Sequence, residues 1–561
     1  MKPKKKSLIH ILAMSKTAIV FGAGISGLAA AHELAKNGYR VTVIERLTVP
    51  GGLARSVRGA NGVPLEYSWR GYGPHYDCAY EYMKQIPVCD TSSSSSDTSS
   101  ATVFDNLSRQ VKFTFTHGTL FRTMSWQSKM VFYAAFAKSL VSSKERQARD
   151  ATINCAEHFR TRMRDRSSWL HFVSIIGPWV GIDPARASLH HVMSFFYRLY
   201  FLGGHEHTKQ CDARGWTHRP GQGWLVMNQP TNEAWFDPWV AHLRSKYGVE
   251  FHFESELDHL ISYADEGRSS RIRAVTVHGL RTNAWGEQSA DLYVLAVSPF
   301  QYVDIVQRSC LTVQHTMPDL RPLIQDGPHI QIAFAIGFKT PVSWAGDRHA
   351  YITDTSPFNI TLYRQDEFWG ARVNLGEIGL RSLWSGTACI TYQKGILYNK
   401  PATALTRAEF EREIVAQISA CTGLMASLSP AQGVDGSELA YDYFEVWSGW
   451  KFDGSHVQNT DNEPKFVDST HTRTHQPEAA TRFDNVLLVG AHTRTTMDLW
   501  SMEAAAESGM NAVRNYIRGD ASSNPSTGCP APYQRTENRL LSPVRTADSL
   551  LYKLQSMALF S

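Results

Sequence analysis

Thr17 to Phe21 is an unbroken apolar run, the pattern of a short strand buried on both faces. A glycine-rich turn follows, then Ile25 to Asn37, an Ala- and Leu-rich helix that stops at Gly38. A second apolar run, Val41 to Ile44, ends at Glu45. Gly71 to Pro87 reads as a turn and a short helix, and the polar "DTSSSSSDTSS" of 90–100 as a flexible surface loop. Apolar spacing predicts helices over Trp126–Ser143, Ser168–Val180, Leu189–Leu202, Trp235–Tyr247 and Ala408–Ile418. Asp548–Leu559 makes a short amphipathic one. β-Branched and aromatic content predicts strands over Val249–Phe253, Ile272–Val277, Leu292–Val297, Ile330–Phe338, Ala350–Ile352 and Asn359–Tyr363. Near the far end an apolar strand beginning at Asn485 runs into Gly490, and a helix opens near Ser501, Met502 and Glu503. Strands alternating with helices make the fold class α/β.

Composition narrows this picture. At 561 residues the chain exceeds one ordinary domain, so two intimate domains with appendages are expected. The net charge of +5, from 57 basic and 52 acidic residues, is too weak and too dispersed for a nucleic-acid partner. The eight cysteines are scattered and none forms C-x-x-C, which suits a reducing, cytoplasmic compartment without a disulfide framework. In "MKPKKKSLIHILAMSK" the apolar stretch is broken by His10, so it reads as a basic, disordered extension, with a targeting segment as the alternative. No run of eighteen apolar residues exists to make a membrane-spanning helix.

The turn after the first strand carries the chemistry. Gly22, Gly24 and Gly27 complete G-x-G-x-x-G inside a strand–turn–helix–strand–acid unit. The first glycine allows the tight turn, the second lets a pyrophosphate approach the backbone, and the third lets helix and strand pack closely. The first helical N–H groups, at Ile25 and Ser26, face the phosphates with the positive end of the helix dipole. Glu45, with Arg46 beside it, stands where a carboxylate accepts hydrogen bonds from an adenosine ribose and repels a 2′-phosphate. NADP is therefore disfavoured, and NAD and FAD both remain.

Two further stretches bear on that choice: "VPGGLARS", with Gly51 and Gly52, and "NVLLVGAHTRTTMDLWSMEAAAESGMNAV" from Asn485 to Val513. Together with the first turn they resemble the flavoprotein superfamily of FAD-dependent amine oxidases and phytoene (isoprenoid) desaturases. The resemblance implies bound FAD. It implies a Rossmann-type FAD-binding domain with a second, mixed sheet-and-helix substrate domain. It divides the chain into an N-terminal extension (1–15), FAD-binding segments (16–89, 221–300, 441–519), a Ser-rich loop (90–100), substrate-domain parts (101–220, 301–440) and a C-terminal tail (520–561). It assigns FAD contacts to Gly51, Gly52, Leu53 and Arg55, to Leu257 at the adenine, and to Gly490, Ala491 and Met502 over the flavin. Ala491 stands where the family has an acid, with His492 after it as an alternative phosphate donor, and Ala504 stands where the family has glycine. Leu53 replaces the arginine common in amine oxidases, and "STHTRTHQPEAATRFDN" lacks their aromatic clamp. Both departures favour an apolar, isoprenoid-like substrate over an amine. The expected activity is removal of hydride from a C–H bond. A mutase or isomerase using reduced flavin, and an idle FAD-binding protein, are the alternatives.

The catalytic residues are not legible. His75 falls in the segment that the family brings past the flavin, where it would face substrate. Trp450 and Lys451 are the other candidates, Lys451 because some amine oxidases hold a water with a lysine. Trp447, Arg381, Trp384, Ser385 and the "SFFYRLYF" cluster can line a cavity, although core packing is the commoner use of such residues. His190, His191, His205 and His207 lack a further ligand at metal-site spacing, so no metal is expected. A small, apolar substrate is the expected partner, with peripheral membrane contact through any continuous apolar surface. The oligomeric state is not legible.

Overall fold

The computed structural model describes residues 16–68, 70–88, 101–110, 113–115, 124–180, 182, 185–201, 224–263, 271–344, 349–353, 356–428, 438–454, 457–459, 465, 467–520, 529–535 and 541–558. The N-terminal extension, the Ser-rich loop, His205 and His207 lie outside them.

A five-stranded sheet forms the first layer, in the order Val486–Leu488, Leu292–Leu295, Thr17–Phe21, Arg40–Ile44, Glu250–His252. All its pairs are parallel, with Phe21 opposite both Ile44 and Leu295. Side chains alternate between its faces. Ala18 and Val20 pack toward the helices Ile25–Lys36 and Met502–Asp520. Ile19 and Phe21 pack toward a three-stranded antiparallel sheet, Ser255–Ser262, Ile272–Gly279 and Ala284–Gln288. Burial on both faces is why the first strand is uniformly apolar. The two helices approach so closely that a Cβ at Gly509 would lie 2.2 Å from the Ser26 carbonyl oxygen.

The second layer is a six-stranded sheet in the order Tyr443–Val446, Ile332–Phe338, Ser382–Ala388, Ile360–Arg364, Ala350–Ile352, Phe113–Phe115. It is antiparallel except for its last pair. Helices Trp126–Val141, Cys155–Arg160, Arg166–Val180 and Leu189–Phe201 share its core through the rings of Phe132, Phe159, Phe172 and Phe196.

Three differences from the sequence reading matter here. Tyr443–Val446 pairs with Ile332–Phe338, so the chain from 441 does not lie wholly with the first sheet, as the division at 441–519 had it. Ser382–Ala388 is a central strand, although "SLWSGTA" shows neither alternation nor β-branched enrichment. Every residue of it is buried, which removes the period-2 signal. The last helix spans Ser542–Ala558, starting six residues ahead of the expected Asp548.

Candidate functional site

Because the five strands of the first sheet are parallel, their carboxyl ends meet at one edge, where α/β folds bind ligands. Gly22, Glu45, Ala296 and Gly490 all follow strand ends there. A cleft of about 430 Å³ starts at this edge and continues onto the second sheet. That volume falls within the range of small-molecule sites, roughly 300–1,000 Å³.

The glycine turns are built by backbone conformation and close approach. Gly22 has φ +102°, and a Cβ there would lie 2.5 Å from the Ala296 oxygen. Gly27 sits under the turn, where a Cβ would be 1.9 Å from the Gly22 oxygen. Gly24 differs. Its Cβ would meet only Gly52 Cα, at 3.8 Å, so a side chain there would enter the cleft. The helix starting at Ile25 has no side-chain cap and no acid in its first turn. Its first N–H groups are thus left to an anion. The double glycine is tied to this turn, since Gly51 N–H donates to the Ala23 oxygen at 2.9 Å.

Glu45 lines the cleft and also braces the turn. Its carboxylate accepts from the N–H groups of Ala23 at 2.6 Å and Leu47 at 2.9 Å. Arg46 pairs with Glu256 at 3.0 Å beside Leu257 on the same wall. Arg55 is buried and is not among the lining residues. It donates to the Gly52 oxygen at 2.8 Å and lies 5.2 Å over the Trp447 ring, holding the double-glycine turn from behind.

Gly22, Gly24, Ile25, Ser26, Glu45, Arg46, Gly51, Gly52, Leu53, Leu257, Gly490, Ala491 and Met502 therefore line one cleft, with Gly27 and Arg55 as supports outside it. The helix Met502–Asp520 starts at the cleft, and the Ser501 hydroxyl accepts the Ala504 N–H at 3.1 Å.

Of the catalytic candidates, the structure brings only His75 to the cleft. It is buried, with its ring edge-on to Trp224 at 5.9 Å. Trp450 is buried in the second core, and Lys451 is exposed on the paired strands Trp450–Phe452 and Val457–Asn459. Neither is among the lining residues. Arg381, Trp384, Ser385 and Trp447 also lie outside the lining, whereas Phe195 of the "SFFYRLYF" cluster is part of it. His190 meets Asp498 at 3.0 Å and His191 meets Asp468 at 3.4 Å, so carboxylates occupy these histidines.

The lining also holds residues that sequence reasoning missed: Gln331, Thr361, Tyr363, Cys389, Lys465 and Trp500. Lys465 is buried, donates to the Gln331 side-chain oxygen and lies 5.2 Å from the Trp500 ring centre. Burial lowers its pKa to about 7. Burial likewise pushes the Cys389 thiol up to about 11 and holds His492 down at about 4. His492 is therefore neutral at pH 7, with its ring against Gly490. "NEPKFVDS" offers no local signal for Lys465. The Lys465 carbonyl accepts the His329 N–H at 2.9 Å, and this long-range bridge places the side chain.

The comparisons agree with this architecture. Residues 20–86 match the family of NAD(P)-binding Rossmann-like domains. No curated protein matches the chain. Among solved structures, cyclohexylamine oxidase from Brevibacterium oxydans IH-35A is 15% identical, with a TM-score of 0.54 over 90% of this chain and 99% of that one. Putrescine oxidase bound to putrescine is 13% identical, with a TM-score of 0.56 over the same shares. A putative protoporphyrinogen oxidase from Exiguobacterium sp. 255-15 is 13% identical, with a TM-score of 0.52, again over 90% and 99%. This chain has their fold. Among the described residues, no helix is long and apolar enough to cross a membrane.

Proposed function

We propose that the chain is an FAD-dependent oxidoreductase that removes hydride from a C–H bond of an apolar, isoprenoid-like substrate. One observation carries the reading. A single cleft joins the phosphate turn at Gly24, the double glycine, Gly490 and the start of the Met502 helix to the inner side of the second sheet. A nicotinamide dinucleotide alone gives no reason for the last two elements to share a cleft with the first.

The residues present fit FAD. Gly24 leaves room where a Cβ would stand, the Ile25 helix offers N–H groups to a pyrophosphate, and Glu45 can accept from a ribose. The start of the Met502 helix, which lines the same cleft, would offer a positive dipole end to a bound flavin. When bound, FAD supplies the hydride acceptor. The chain's own residues bind, orient and exclude water. Phe195, Trp224, Tyr363 and Trp500 present ring surface for an apolar substrate. Lys465, with its pKa near 7, can hold or give up a proton at Nζ inside the cleft.

The charge distribution supports the apolar choice over an amine. Among the described lining residues, the carboxylates are Glu45, Glu256 and Asp304, all on the first sheet's side. The second-sheet side contributes Lys465 and no acid to neutralise an ammonium group.

The test is spectroscopic. Purified protein is expected to be yellow and to release FAD on denaturation. Anaerobic addition of unsaturated isoprenoids is expected to bleach the flavin, with primary amines inert. A colourless protein that binds NAD and no flavin would overturn the reading. Bleaching by amines alone would overturn its substrate half.

A further inference from the structure

The C-terminal helix Ser542–Ala558 is mounted with its polar side inward. Asp548 accepts from Arg146 Nε at 2.9 Å and from the Ser143 N–H at 2.8 Å. Arg545 Nε donates to the Leu140 carbonyl at 3.0 Å, and the Ser549 hydroxyl reaches Glu145 at 3.0 Å. Arg146 lies over the Tyr552 ring at 5.1 Å. The opposite stripe, Val544, Ala547, Leu551 and Leu554 with Leu550 beside it, faces outward. Leu550, Leu551 and Leu554 are 61%, 57% and 62% exposed. Amphipathic helices normally bury the apolar side. An inverted one leaves apolar area in water at a cost of roughly 25 cal/mol per Å² unless something covers it.

The neighbouring helix Trp126–Val141 exposes a matching stripe, Trp126, Met130, Tyr133, Ala134 and Ala137. Leu170, exposed on the Arg166–Val180 helix, continues it, since Ser125 and Ser168 are hydrogen-bonded at 2.8 Å. The same stretch of chain is rich in exposed basic groups. Residues 124–170 contain nine Lys and Arg against four Asp and Glu, and Lys138, Arg160, Arg162, Arg164 and Arg166 are exposed. Lys553 adds an exposed cation on the last helix. Apolar stripes with a cationic rim match the chemistry of an interfacial helix pair on anionic lipid. A second copy of this chain fits worse, because a two-fold contact would set the basic rim against itself.

We propose that the Trp126–Val141 and Ser542–Ala558 helices form a docking face for an anionic lipid bilayer, lying in its surface without crossing it. The face is one helix layer from the cleft. Phe132 meets Phe196 of the Leu189–Phe201 helix at 5.1 Å, and Phe195 of that helix lines the cleft. Docking stands independently of the redox reading, because the apolar stripes and basic rim exist whatever the cleft binds.

Sedimentation of the full chain with phosphatidylcholine vesicles, with and without phosphatidylserine, tests it. Wild type is expected to pellet with the anionic vesicles and to be released by salt. Leu550→Ser/Leu551→Ser/Leu554→Ser is expected to lower the partition at least about tenfold, from the transfer value of the lost aliphatic groups. Trp126→Ser/Met130→Ser on the other helix should weaken binding independently, and Lys138→Glu/Lys553→Glu should do so at low salt. Melting temperature and bound-flavin content are expected to stay at wild-type values, because all these side chains face solvent. The proposal is overturned if wild type stays in the supernatant, if the triple variant pellets like wild type, or if light scattering shows a dimer that the triple variant dissociates.

Discussion

Gly24 and Gly27 share one motif, and the structure separates what each does. At Gly27 a Cβ would stand 1.9 Å from the Gly22 carbonyl oxygen, closer than a hydrogen bond. Gly27→Ala must therefore push the helix off the strand, at an overpacking cost of about 1–3 kcal/mol or more. At Gly24 the backbone is extended, with φ −74°, and a Cβ meets nothing nearer than Gly52 Cα at 3.8 Å. Gly24→Ala should cost the apoprotein at most about 1 kcal/mol, the price of a poorer helix N-cap. Its Cβ nonetheless enters the space that the pyrophosphate must reach. Displacing two charge-assisted hydrogen bonds, at about 1.5–3 kcal/mol each, predicts a roughly 10²- to 10⁴-fold loss of FAD affinity. Gly24→Asp adds like-charge repulsion and should retain no flavin. Thermal melting of the flavin-stripped proteins measures the first effect, and the flavin-to-protein absorbance ratio with titration of free FAD measures the second. The reasoning is refuted if Gly24→Asp purifies with stoichiometric FAD, or if apo Gly24→Ala melts as low as apo Gly27→Ala.

Glu45→Gln should lower both flavin affinity and apoprotein stability, because Glu45 accepts from the Ala23 and Leu47 N–H groups as well as facing the cleft. Each loss is expected at about 1–3 kcal/mol, read by flavin titration and denaturant melts. Arg535→Ala should destabilise by about 3–5 kcal/mol. It leaves Glu503 buried without the guanidinium that lies 2.8 Å away, and adding Glu503→Gln should recover part of the loss in chemical denaturation. Lys465→Met should stabilise the apoprotein more at pH 6 than at pH 9. The folded pKa of Lys465 is depressed from 10.5 to about 7, so the folded state bears the cost of a buried charge below pH 7. Between that value and 10.5 the unfolded chain binds more protons, and wild-type stability rises with pH relative to the variant. Denaturant melts across this range check the sign, and a gap that widens toward pH 9 would contradict it.

The sequence by itself determined the nucleotide end of the molecule. Gly22, Gly24, Gly27, Glu45, Gly51 and Gly52 answer to local demands, such as a positive φ or a backbone that must be approached closely, and such demands leave their mark at fixed spacing. The helix opening at Met502 was legible for the same reason. What only the tertiary structure decided depends on partners far along the chain. Lys465 becomes a buried amine at the cleft because its backbone bridges to His329, and Arg535 of the tail reaches back to Glu503 and the His75 carbonyl. Ser382–Ala388 is a strand because neighbours on both edges and both faces make it one. The last helix shows the limit most directly. Its amphipathic pattern was readable, yet burial of the polar side followed from where Ser143, Glu145 and Arg146 stand. Periodicity tells which residues share a face, but which face turns inward is set by the surface it meets.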